Sequence, residues 1–147
     1  MIVKNILQQK PQGHGVVHVS PDATISAAIA MLAEHRIGAM VAVFEGGAIA
    51  GILSERDVIR GLSQKGSAIL NDKVRDLMTT NVLTCHEEDS IDSLMETMTS
   101  KRIRHLPVVD RADRLIGIVT IGDVVKTSLD LAHAQVADLR DYVGAVR

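Results

Sequence analysis

The chain repeats itself, and that repeat restricts the possible folds more than any other feature. Gly51-Ile52-Leu53-Ser54-Glu55-Arg56-Asp57-Val58 returns 66 residues later as Gly117-Ile118-Val119-Thr120-Ile121-Gly122-Asp123-Val124. The same offset pairs Arg36-Ile37 with Arg102-Ile103, Val43 with Val109, Ile25 with Ile91, and Val16-Val17 with Val82-Leu83. A register without gaps over most of a unit marks duplicated supersecondary structure. A fainter prelude, Val3 to Leu7, matches Val74 to Met78 at an offset of 71, and the loop Pro11-Gln12-Gly13-His14-Gly15 accounts for the difference. A unit of roughly 60 residues buries too little surface to be comfortable alone, so the two are expected to pack as one module.

Within each unit the apolar periods can be read directly. A short apolar strand (Val16 to Val19; Val82 to Cys85) leads into an amphipathic helix. The helix carries Ile25, Ala28, Ile29 and Leu32 on one face, matched by Ile91, Leu94, Met95 and Met98. Pro21 suits the start of the first helix, and Asp89-Ser90 supplies N-cap chemistry to the second. Two strands follow, Met40 to Phe44 with Ile49 to Leu53, and His105 to Val109 with Leu115 to Val119. Their turns are Glu45-Gly46-Gly47 and Asp110-Arg111-Ala112-Asp113. A second helix starts at Ser54 or Thr120, giving β-α-β-β-α twice: an α/β (α+β) fold. The units span 1–64 and 74–128, with a linker at 65–73 that opens on the polar run Ser63 to Ser67.

Past Val124 the apolar pattern continues through Val125, Leu129, Ala132, Val136, Leu139, Val143 and Val146. Spacings that alternate four and three predict a C-terminal amphipathic helix over 129–147. Its stripe either packs back on the module or forms a self-association surface, and the second is favoured because the stripe outlasts the repeat.

Composition narrows the function. Phe44 and Tyr142 are the only aromatic residues of 147, which argues against stacking on single-stranded nucleic acid. A formal net charge of −2 argues against gripping a phosphate backbone. Cys85 has no cysteine to pair with, so a reducing compartment is the default. The start, Met1 to Lys10, shows no apolar h-region, and no apolar run reaches the roughly 18 residues needed to span a bilayer. A cytoplasmic chain without a membrane partner is expected.

Ser54-x-x-Asp57 and Thr120-x-x-Asp123 stand where a strand turns into a helix. As capping boxes they need no ligand: the hydroxyl accepts from the third helical amide and the acid reaches back. The same helix start also presents free amides to a phosphate, while the acid can accept from both hydroxyls of a ribose. Gly51 and Gly117 just before them would allow a ligand or a neighbouring strand close to the backbone.

The repeated Gly-h-h-Ser/Thr-x-x-Asp-h-h-Arg/Lys (h, apolar; Gly51 to Arg60; Gly117 to Lys126) resembles the signature of the cystathionine-β-synthase (CBS) domain. So do the passages His35 to Met40 and Lys101 to Val109 that precede it. The resemblance covers Val3 to about Ser128 and implies a stand-alone CBS pair, or Bateman module, with pseudo-two-fold symmetry and two clefts. It further implies an adenosine-containing ligand (AMP, ADP, ATP, NAD(H) or S-adenosylmethionine), no obligatory cofactor, and assembly into a homodimer. In the first cleft Asp123 would hold ribose while Thr120, Arg104 and His105 meet phosphate beside Gly122; Ala23, Thr24, Ala28, Ile37, Gly38 and Ala39 would line the adenine side. In the second, Ser54, Arg56 and Asp57 would face Asp89, Ser90, Leu94 and Ile103. Arg104-His105 replaces Gly38-Ala39 at the repeat offset, so phosphate should prefer the Asp123 cleft.

Other residues suggest no chemistry. The six histidines have no i, i+4 pair, so no metal site is expected. Cys85 and Met31, Met95 and Met98 fit core packing. No nucleophile–base pair or Walker-type Gly-Lys-Ser/Thr is present, which argues against an enzyme, and the resemblance to CBS pairs implies a non-catalytic, energy-sensing regulatory module acting on another protein. A constitutive dimerisation scaffold with degenerate clefts is the alternative, and a nucleotide-processing enzyme is the weaker one.

Overall fold

A computed structural model describes residues 1–10 and 16–145. In chain order the elements are α1 (Val3–Gln9), β1 (His18–Val19), α2 (Ile25–His35), β2 (Ala39–Val43), β3 (Ile49–Ser54), α3 (Glu55–Lys65), a 3-10 helix (Gly66–Asn71), α4 (Val74–Leu77), α5 (Ile91–Lys101), β4 (His105–Val109), β5 (Leu115–Thr120) and α6 (Ile121–Ala145). The mixed α/β fold with tandem units and a C-terminal helix is the one the repeat predicts.

Each helix after the leading strand is capped by a hydroxyl. Thr24 Oγ1 accepts from Ala27 N at 3.1 Å, and Ser90 Oγ from Ser93 N at 3.1 Å. Pro21 therefore sits in the turn before α2 rather than opening it, and Asp89 bonds back to His86 N at 2.9 Å. Strand β1 runs parallel to β2, which pairs antiparallel with β3. In the second unit β4 and β5 pair in the matching register, His105 opposite Thr120 as Ala39 is opposite Ser54.

The expected strand over 82–85 is reduced to one residue. Cys85 alone bridges Val108, receiving Val109 N and donating to Pro107 O at 2.9 Å each. It is also the one side chain of that run that reaches the core; Leu83 is exposed, so nothing holds the earlier residues to the sheet.

Two apolar cores form, one per unit, and each borrows a helix from the other half. Val3 and Ile6 of α1 are buried in the second core, with Leu7 against it, and Val74 of α4 is buried in the first. The exchange is tied by backbone bonds: Val3 N to Asp89 O (2.9 Å) and Ile91 N to Met1 O (3.2 Å) on one side, Val74 N to Ala23 O and Ile25 N to Asp72 O (2.8 Å each) on the other. The prelude of the sequence is thus a strap that joins two halves too small to fold apart. Across the pseudo-two-fold the equivalent residues Ala48 and Arg114 form a β-bridge.

The repeat's glycines serve this exchange. A Cβ on Gly51 would lie 2.7 Å from both Met78 Sδ and Thr79 O, and one on Gly117 would lie 2.7 Å from Leu7 Cδ2. The close neighbour is chain rather than ligand.

The polar run Ser63 to Ser67 is not a free connection. Ser63 to Lys65 complete α3, and the following 3-10 helix sinks Ile69 into the first core. Helix α6 continues unbroken from the second unit's last helix into the C-terminal helix. Val124 and Thr127 anchor it, whereas residues 129–144 are exposed on every face, so the stripe does not fold back on its own module. Val146 lies outside the described residues. Among the described residues no helix is long and apolar enough to cross a membrane.

Candidate functional site

Both strand-to-helix junctions close as capping boxes. Asp57 Oδ2 accepts from Ser54 N (2.9 Å) and Ser54 Oγ (3.0 Å), while Asp57 N donates to Ser54 Oγ at 3.2 Å. Asp123 Oδ2 accepts from Thr120 N at 2.9 Å, and Asp123 N donates to Thr120 Oγ1 at 3.2 Å. A cap still leaves room for a ligand where the carboxylate remains reachable, and here the repeats diverge. Asp57 is only 7% exposed, and Arg60 Nη1 approaches its second oxygen at 3.5 Å. The Asp123 side chain is 26% exposed, and its protein bonds fall on Oδ2.

A cation that the spacing did not single out sits on that oxygen. Lys10, just beyond α1, places Nζ 2.8 Å from Asp123 Oδ2 and donates to Ile118 O at 2.5 Å. Helix α1 delivers it because Val3, Ile6 and Leu7 dock on the second core. Its place in the prelude outside the 66-residue register hid it from the repeat comparison.

Strand register sets His105 opposite Thr120, and Arg104 O accepts from Ile121 N at 2.9 Å at the start of α6. Arg104 itself is exposed, and Gly122 leaves open space beside Thr120 Oγ1. Across the pseudo-two-fold Gly38 faces this group: a Cβ there would lie 3.9 Å from His105 Cε1 and 3.7 Å from the Glu55 carboxylate. Burial holds the His105 imidazole below its ordinary pKa. Lys10 and Arg104 act in the same direction and together with burial outweigh the carboxylates of Glu55 and Asp123. Lys10, Arg104, His105, Thr120 and Asp123 thus converge beside Gly38, with Glu55 the second participant that the sequence comparison missed. Its repeat equivalent is Ile121, so no pattern flagged it.

The expected adenine wall is corrected in part. Ala28 (0% exposed) and Leu94 (2%) are core residues with no surface to offer a ligand. Ala23 and Thr24 engage the α4 segment, through Val74 N and the Lys73 bridge, and Asp89 and Ser90 engage the α1 segment in the same way. Their backbone holds the exchanged helices, while the Thr24, Ser90 and Asp89 side chains bond within their own unit. Ile37 and Ile103 are half-buried against their own cores, and Ala39 is buried in β2 opposite Ser54. Arg56 is exposed on the first turn of α3.

An open cleft of about 770 Å³ lies elsewhere, between Ser20, Pro21 and Asp22 and the β2–β3 turn at Phe44 and Glu45. The Glu45 carboxylate on its wall would repel a phosphate, and the Asp22 carboxylate is already paired with Arg75 and Lys73. Cys85 is buried, and burial, with Asp89 adding, pushes its thiol up to about 12, the state of an inert core thiol. Among the described residues no three His, Cys, Asp or Glu side chains cluster as metal ligands would.

The crystal structure of the CBS-domain-containing protein ATU1752 from Agrobacterium tumefaciens is 41% identical, covers 87% of this chain and 99% of that one, and superposes with a TM-score of 0.81. The CBS domain pair of protein MJ0100, solved in complex with 5′-methylthioadenosine and S-adenosyl-L-methionine, is 29% identical with a TM-score of 0.76 and covers 86% of this chain and 94% of that one. The mitochondrial CBS domain-containing protein CBSX3 of Arabidopsis thaliana is 35% identical over 126 residues, 83% of this chain. This chain spans 61% of that relative's length. The CBS domain model matches residues 12–64 and 74–130, one match in each half of the repeat, and the chain therefore belongs to the CBS domain family as a tandem pair.

Proposed function

We propose that the Asp123 cleft binds an adenosine-containing ligand and that the module is a non-catalytic regulatory sensor of that ligand. The observation that carries the reading is the difference between the two carboxylates: Asp57 is sealed, whereas Asp123 is reachable and surrounded by Lys10, Arg104 and His105. Ribose hydroxyls would donate to Asp123, and a phosphate would meet Thr120, Gly122 and the three basic side chains at the start of α6. The adenosine ligands held by the MJ0100 domain pair support this class of molecule. Within it, AMP, ADP, ATP and NAD(H) fit the cationic side better than an uncharged nucleoside does. Gly38 and the neighbouring half-buried Ile37 would border the base without an aromatic stack.

Regulation would act on a second protein through ligand-dependent affinity, because only a difference between two states can transmit a signal. A cytoplasmic homodimer completes the reading. Its support is the single reduced, buried Cys85 and the outward apolar stripe of α6.

Thermal unfolding with AMP, ADP, ATP, NAD, NADH and S-adenosylmethionine tests the proposal. A ligand at 100 times its dissociation constant adds about 2.7 kcal/mol, a shift of several degrees at this size. The satisfied capping boxes favour one other reading, a constitutive scaffold whose clefts stay empty. No shift with any of the six would support it, and product detected by chromatography would instead mean an enzyme.

A further inference from the structure

Helix α6 leaves the module after Thr127, and every side chain from Leu129 to Gly144 is exposed. At 1.5 Å per residue that is about 24 Å of projecting helix. A lone helix of this length is marginal in water. This one nevertheless carries Leu129, Val136, Leu139 and Val143 in a single row, exposed by 53, 49, 64 and 52%.

The row has a heptad register. Leu129, Val136 and Val143 occupy a; Ala132 and Leu139, with Val125 one heptad earlier, occupy d. Spacing of this kind supercoils with another helix left-handedly, and Val at a with Leu at d favours two strands. The flanks are unequal. The e positions Lys126, His133 and Arg140 are all basic, whereas the g positions Ser128, Gln135 and Tyr142 carry no charge. The acids Asp130, Asp138 and Asp141 lie at b, c and f, away from the seam.

We infer that the exposed tail of α6 pairs with the same tail of a second copy as a parallel two-stranded coiled coil. The charge pattern fixes the direction. In an antiparallel pair e faces e, which would set basic side chains against one another along the seam. In a parallel pair g faces e, and Gln135 meets the partner's Arg140 with an amide oxygen that can accept from it. The contact is isologous, so it closes at two chains. This assignment deepens the homodimer part of the proposed function and does not depend on which ligand the cleft holds.

Light scattering and thiol linking of the full chain test it. Cys85 is buried and its thiol inert, so an added cysteine is the one that reacts. The native chain should have the mass of two chains, and Leu139→Asp should reduce it to one while the thermal midpoint of the module is kept and helical circular dichroism falls by no more than the share of residues 129–144. Under mild oxidation Val143→Cys (a) should form linked dimers, and Ala134→Cys (f) should not. A monomeric native chain overturns the proposal, as does a dimer that survives Leu139→Asp or equal linking at both sites. Linking only between mixed Leu129→Cys (a) and Leu139→Cys (d) chains would mean an antiparallel pair and also overturns it. None of these readouts involves a nucleotide, so a failed ligand panel leaves this result standing and the reverse also holds.

Discussion

Lys10 and Asp123 are bound to each other, Nζ to Oδ2 at 2.8 Å, although one ends the strap from the other half and the other begins α6. The pair links the exchanged helix to the carboxylate proposed for ribose. Both side chains are about a quarter exposed, so the bond itself holds about 1 kcal/mol or less. Its effect on binding should be larger. A ribose would compete for Asp123, and the released ammonium would be beside the phosphate. Lys10→Met is therefore expected to weaken AMP by about tenfold, the scale of one charge-assisted hydrogen bond, and to leave adenosine equal or tighter. Calorimetric titration of both ligands decides it; equal changes in the two affinities would mean that Lys10 does not meet the phosphate.

Asp57 and Asp123 should separate stability from binding. Asp123→Ala should abolish nucleotide binding at its cleft and cost about 1 kcal/mol as a lost cap. Asp57→Ala removes the acceptor of Ser54 N and Oγ at a buried site, so it should cost about 1–3 kcal/mol and leave binding at the Asp123 cleft intact. Urea unfolding beside calorimetry reads both columns of this comparison. The reverse pattern would place the ligand on Asp57.

His105 gives the module a pH dependence with a definite sign. Its pKa in the fold lies below the ordinary 6.5, so below that value the unfolded chain binds more protons than the folded one. Stability should therefore fall as pH drops below about 6.5 and be fully present above it. His105→Gln should flatten that slope in thermal midpoints measured from pH 5 to 8. A bound phosphate favours the imidazolium, so nucleotide binding at pH 7 should be accompanied by proton uptake and tighten toward pH 6. Calorimetry in buffers of different ionisation enthalpy would expose an uptake of zero.

The parts of the fold that were legible in the sequence are those governed by local chemistry. The apolar period of 25–32 and its copy at 91–98, the Ser54 and Thr120 junctions and the strand pairs all appear in place, because spacing and capping act within one element. The prelude at an offset of 71 was visible too, but its destination was not: an exchange between halves depends on which core has room for Val3 or Val74. The site followed the same division. Thr120, Asp123, Arg104 and His105 share one unit and its register, so the motif located them. Lys10 and Glu55 arrive through tertiary packing, and Ala28 and Leu94, assigned to the clefts by the family resemblance, keep the core positions that their helical spacing gives them.

Gly51 and Gly117 occupy equivalent positions but face different neighbours, and that difference predicts unequal tolerance. A Cβ on Gly51 would meet the Thr79 carbonyl oxygen at 2.7 Å, and backbone held by reciprocal bonds to Ile52 at 2.9 Å cannot retreat. The three atoms nearest to a Cβ on Gly117 all belong to the Leu7 side chain, whose methyl groups can rotate away. Gly51→Ala should cost about 3 kcal/mol, at the upper end of overpacking, and Gly117→Ala about 1 kcal/mol. Leu7→Ala should recover part of the Gly117→Ala loss, since the two side chains then share one space, and should do nothing for Gly51→Ala. Urea midpoints of the singles and both doubles measure this. Equal costs at the two glycines, or no coupling between positions 7 and 117, would mean that the strap helices are not seated against β3 and β5 as described.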